Sequence, residues 1–177
     1  MPEEQDIVTS VVHALKSGYR LLDCAMAYGC DRAIGRAIRE SGVSRSEIVV
    51  MTKFWINFND EPGAALDICL DGLGLDYVDI YLMHWPCAMT RDMQPIPYGL
   101  SPTFVDTWKK MEALVGDKCR SIGVCNFTQK TLDTLLANTT IIPAINQTEL
   151  HAFNPNHRLH DYCRERGIHV VSWRQVS

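Results

Sequence analysis

The chain has no apolar run near the ~18 residues that a membrane-crossing helix requires, so a membrane partner is not expected. It has no basic block and no stripe of aromatic and basic residues. Net charge is −4 with both signs scattered, which makes nucleic acid a poor partner. The opening MPEEQD is acidic and lacks the apolar core of a secretory leader. No CxxC pair occurs, and the cysteines are seven: 24, 30, 69, 87, 119, 125 and 163. An odd count without paired spacing points to reduced thiols and a cytoplasmic protein rather than a disulfide framework. There is no Pro- or Gly-rich linker, so residues 1–177 read as a single domain.

What is present is an ordinary globular composition, 46% hydrophobic and 21% charged, with a strict alternation of helix and strand patterns. Residues 5 to 17 place Ile7, Val8, Val11, Val12 and Leu15 on one helical face. Strand-like runs follow at 19–25, 47–55, 77–85, 119–127, 141–149 and 168–173. Between them lie helical patterns: 31–40; one capped by Asn59 or Asp60 with Pro62 in its first turn; one from Ser101-Pro102 to Val115; one capped by Thr128; and one from Asn154-Pro155 to Gly167. Six strands joined by single helices predict parallel strands with right-handed crossovers, in the α/β class. A doubly wound dinucleotide fold would carry GxGxxG after its first strand, and none is found. The other parallel architecture, the (β/α)₈ TIM barrel, collects its chemistry at the C-terminal strand ends.

Those ends are polar or aromatic. Asp23 closes the first, with Tyr28 five residues on; Lys53 closes the second and His84 the third; Asn126 follows Cys125 after the fourth; Asn146 and Gln147 end the fifth and Trp173 the sixth. The types suit proton donation to a carbonyl oxygen. A free phenol ionises near ~10. An ammonium beside it favours phenolate, a carboxylate holds the ammonium charged, and an imidazole orients the acceptor. Taken singly each residue has a plainer explanation: a turn at Asp23, a solvent-facing end at Lys53, a helix cap at Asn126, core packing at Trp173. His157, His160 and Cys163 recur at three-residue spacing, but a zinc site requires a fourth ligand, and no metal is expected.

The segments LLDCAMAYGCDRAIGRAI, VMTKFW, DIYLMHWP, SIGVCNF and INQTEL, in this order, resemble the aldo-keto reductase family. The resemblance implies an incomplete (β/α)₈ barrel with about six of eight strands present, and a cofactor that is usually NADPH, with NADH not excluded. It implies reduction of a small-molecule aldehyde or ketone. By position Tyr28 is the general acid, Lys53 tunes it, Asp23 pairs with Lys53, and His84 orients the carbonyl. Asn126 and Gln147 hold the nicotinamide carboxamide; Trp173, where the family has tyrosine, stacks on the ring, and Asp23 also faces the cofactor. Trp55, Trp85 and the loop at 86–101 shape the substrate pocket. Cys125 replaces the family's serine, Asp31 supplies its acidic residue, and Cys30 replaces a small polar residue. The family's phosphate-gripping segments lie outside the matching region, so the alternative expectation is a catalytically impaired fragment or a non-catalytic regulatory protein of the same fold. Substrate identity and oligomeric state are not encoded in these motifs.

Overall fold

The strands form one curled sheet in the computed structural model, which describes residues 3–175. They are β1 (Leu21–Asp23), β2 (Val49–Phe54), β3 (Val78–Met83), β4 (Cys119–Cys125), β5 (Ile145–Glu149) and β6 (His169–Trp173). Every neighbouring pair is parallel and the order is β1-β2-β3-β4-β5-β6. The helices α1 (Glu4–Lys16), α2 (Asp31–Ser41), α3 (Pro62–Leu73), α4 (Phe104–Glu112), α5 (Gln129–Leu136) and α6 (His157–Glu165) alternate with them. The parallel strands are those the alternation predicts, and their curled, sequential order is the arc of a (β/α)₈ barrel that the resemblance implies. Its curvature can be read from one hydrogen bond. The Gln147 amide on β5 donates to the Asp23 carboxylate on β1 at 2.8 Å. In a flat sheet those strands would stand ~19 Å apart at the usual strand spacing.

Period-two alternation sorts the side chains. Leu22, Val50, Phe54, Tyr81, Met83, Ile122 and Val124 face outward into the core shared with the helices. Met51, Leu82, Cys125 and Ile145 form a smaller cluster on the concave face. Gly123 is required there: a Cβ would lie 2.7 Å from a Leu82 methyl and 2.8 Å from the Ile145 carbonyl oxygen. Gly35 has a similar role outside the sheet, because a Cβ on it would overlap the Leu73 carbonyl of α3.

Three boundaries differ from expectation for local reasons. α4 starts at Phe104, not Ser101, because Thr103 and Asp106 form a capping box, each side chain bonding the other's backbone N–H at 3.2 and 2.9 Å. β5 starts at Ile145; Pro143 offers no N–H, and Ile141 is engaged in accepting the Trp108 indole N–H at 3.1 Å. α6 starts at His157, since Asn156 sits in the left-handed region with φ 39°. Asn59 and Asp60 do not cap α3, whose N-cap is Glu61. Asn59 is buried instead and donates to the Cys87 carbonyl at 3.0 Å. With Met89 N–H donating to Ile56 O at 3.0 Å, this pins the long β3–α4 loop onto the turn Ile56–Phe58.

At the N-terminal end of the sheet, Asp79 accepts from Arg45 at 2.8 Å, Arg120 at 3.1 Å and the Val50 N–H at 2.9 Å. Both guanidinium groups lie 4.1 Å from the Tyr77 ring centre. The satisfied carboxylate and stacked cations form a polar clamp at the end where barrel residues serve stability.

Candidate active site

The concave-face parity that buries Met51, Leu82 and Ile145 continues one step up each strand to Lys53, His84 and Gln147. Sequence alternation alone therefore sends these three side chains to one mouth. Lys53 is 1% exposed, and a buried ammonium is costly unless paired. It donates to Asp23 Oδ1 at 2.5 Å and to the Cys24 carbonyl at 2.8 Å. The other Asp23 oxygen accepts from Gln147 Nε2 at 2.8 Å, so the carboxylate is held from two strands.

Tyr28 lies in the short 3₁₀ turn Met26–Tyr28 after β1, ended by Gly29 in the left-handed region. Its ring centre is 5.3 Å from Lys53 Nζ and 6.1 Å from the His84 ring, which it meets edge-on. The Trp55 ring meets His84 at 5.1 Å, also nearly perpendicular. Burial, and after it the Lys53 charge, depress the His84 pKa to about 4, with Asp23 opposing. The imidazole is thus neutral near pH 7, and its buried Nδ1 has no hydrogen-bond partner among the described residues.

Asn126 follows β4 at φ 64°, a conformation that asparagine tolerates better than most residues. The turn aims its amide at the mouth. Nδ2 donates to the His84 carbonyl at 3.0 Å and to Cys125 Sγ at 3.2 Å, while Oδ1 accepts from Trp173 Nε1 at 3.2 Å. The Cys125 thiol, neutral because burial pushes it up to about 12, lies 3.6 Å from Gln147 Oε1.

The structure thus brings together Asp23, Tyr28, Lys53, His84, Asn126, Gln147, Trp173 and Trp55. Trp85 is not drawn in: it is 39% exposed and pairs with no other ring among the described residues. Asn146, named beside Gln147 as a strand end, points the opposite way. Its amide brackets Phe127, donating to that carbonyl at 3.0 Å, and so holds the turn carrying Asn126. Alternation along β5 is the signal that separates the two. The Cys24 carbonyl, a structural support, carried no sequence signal because it acts through the backbone; Asn59 was expected only as a helix cap, and its side-chain bond to the Cys87 carbonyl depends on the path of the β3–α4 loop. On α6, Cys163 is buried in the core while His160 lies beside Asp161, so the three-residue spacing does not assemble a ligand set. A concavity of about 1110 Å³ opens outward among α1, α2 and α3 and shares only Tyr28 with this set.

Comparison with known proteins gives a consistent result. The family profile described as Aldo/keto reductase family matches residues 1–177. A D-galacturonate reductase of Hypocrea jecorina is 39% identical over 186 aligned positions, covering 97% of this chain and 60% of that protein. A glycerol 2-dehydrogenase (NADP(+)) of Saccharomyces cerevisiae is 38% identical, covering 99% and 62%. The structure of a Bombyx mori aldo-keto reductase in complex with NADP superposes with a TM-score of 0.90 at 34% identity, over 98% of this chain and 57% of that one. The chain spans about 60% of the length of the curated relatives it matches. By the full-length profile match and by its share of the fold, this chain belongs to the aldo/keto reductase family.

Proposed function

We propose that the protein reduces small-molecule aldehydes or ketones to alcohols with NADPH, Tyr28 acting as the proton donor. The observation that carries this reading is the convergence of Tyr28, Lys53, Asp23 and His84 at one end of the sheet. A nicotinamide dinucleotide supplies a hydride when bound. The donor set fits its carboxamide: beyond its contacts to Asp23 and Cys125, Gln147 retains one amide hydrogen and a carbonyl lone pair. Asn126 and Gln147 would hold that amide, Trp173 would lie against the ring, and Asp23 would face the same side. The similar proteins named as NADP-dependent or solved with NADP support NADPH over NADH.

The residues of this chain do the acid work. Tyr28 Oη gives its proton to the carbonyl oxygen as negative charge develops there, and Lys53 stabilises the phenolate left behind. Asp23 and the Cys24 carbonyl keep the ammonium charged and aimed. His84, neutral, offers a hydrogen bond that orients the carbonyl without competing as an acid. Trp55, packed against His84, forms an apolar wall of the substrate pocket.

The test follows loss of NADPH absorbance with an aromatic aldehyde. Wild type turns over; Tyr28→Phe abolishes turnover while cofactor affinity, read by fluorescence titration, stays within about twofold. Turnover by the Phe variant at the wild-type rate overturns the assignment. NADPH consumption by the wild-type chain is the first condition, and its absence refutes the reductase reading.

A further inference from the structure

The acid pair and the amides of the site are linked more closely than either role requires. From Trp173 the contacts run through Asn126 to Cys125, from the Cys125 thiol to Gln147 Oε1 at 3.6 Å, from Gln147 Nε2 to Asp23 at 2.8 Å, and from Asp23 to Lys53 at 2.5 Å. We infer that Gln147 is a positioning residue: through Asp23 it holds the Lys53 ammonium, so that the amide end and the proton-donor end of the site act as one hydrogen-bonded unit.

Three observations carry this. First, Gln147 is 2% exposed and its amide has a forced orientation, since the carboxylate accepts and cannot donate while the thiol faces the carbonyl oxygen. Second, Asp23 needs the support. It ends a three-residue strand, its side chain is 37% exposed, and Lys53 and Gln147 are its only side-chain partners among the described residues. Without the amide donor, one carboxylate oxygen turns to water and the ammonium loses a fixed counterion. Third, the bond crosses the concave face between strands that are not neighbours, so occupancy at the β5 end is felt at the β1 end. A ligand amide that engages the remaining Gln147 groups therefore presses on the Asp23–Lys53 pair, and binding is coupled to alignment of the proton donor.

The catalytic half of this inference rests on the reductase reading; the Asp23 half does not, and the test separates them. In the cofactor-free full chain, the Asp23 carboxyl is followed by ¹³C NMR against pH in wild type, Gln147→Met (similar length, no donor) and Gln147→His (a ring N–H donor). Lys53, His84, Cys24 and Cys125 are the titratable groups that sense this carboxylate, and all are unchanged in the variants. Loss of a hydrogen bond to the charged form moves the transition to higher pH in the Met variant, with partial return in the His variant. An unmoved transition in folded Gln147→Met overturns the inference. If that variant does not fold, the unmodified protein decides: its Gln147 amide protons shift as Asp23 titrates, and their indifference overturns it. At saturating cofactor, Gln147→Met lowers kcat about tenfold as well as raising KM. A change in KM alone leaves Gln147 a mere binding residue and refutes positioning. Absent wild-type turnover the reductase reading fails, and the NMR titration alone judges the Gln147–Asp23 link.

Discussion

Acid should destabilise this protein through His84, and the size can be worked out. The imidazole is held near pKa 4 against an ordinary 6.5, chiefly by burial and then by Lys53. A group whose folded pKa is depressed lets the unfolded chain bind the proton first. Stability is therefore constant above about pH 7 and falls as pH drops from 6.5 towards 4. Each unit of separation is worth ~1.4 kcal/mol, so the loss between pH 7 and pH 5 is about 2 kcal/mol. Asp31 acts in the opposite sense, because burial raises its pKa and its folded form takes up a proton early. The comparison must hence be with His84→Gln, which retains every other titrating group. Urea unfolding at pH 7, 6 and 5 should show wild type losing about 2 kcal/mol more than the variant. Parallel curves for the two proteins would mean that His84 is solvated or paired in solution, and the neutral-imidazole role would go with it.

Gly35→Ala forces α2 off α3, since the new methyl overlaps the Leu73 carbonyl; it should cost about 2–3 kcal/mol by thermal unfolding. Gly63→Ala, whose methyl would meet only a Leu114 methyl at 3.3 Å, should by contrast be within about 1 kcal/mol of wild type. Asp79→Ala strips the shared partner from Arg45, Arg120 and the Val50 N–H and should lower stability by about 3 kcal/mol in urea titration, with no change in the NMR signals of Tyr28. Thr103→Ala breaks the α4 capping box and should cost about 1 kcal/mol, with faster amide exchange in the first turn of α4.

Much of this could be read from the chain because two simple rules coincided. Helix and strand alternated without interruption, which gives the parallel strands, and Asp23, Lys53 and His84 at or beside strand ends give the mouth, with Gln147 reaching it from the middle of β5 rather than from its end. The helix starts were less legible. Thr103 with Asp106 outcompeted the Ser101-Pro102 signal, and a left-handed Asn156 delayed α6; both outcomes depend on which local hydrogen bonds win. The role of Asn59 was invisible because it bonds a carbonyl 28 residues away. The Gln147–Asp23 contact joins residues 124 apart, and only the curvature of the sheet makes it possible.

The clamp around Asp79 sits at the start of β3, whereas His84 follows its end, about 16 Å further along the strand. Groups that far apart, without shared partners, change free energy additively. Stability can therefore be raised or lowered at the arginine end by directed evolution while the Lys53–Asp23–Gln147 contacts at the other end keep their geometry.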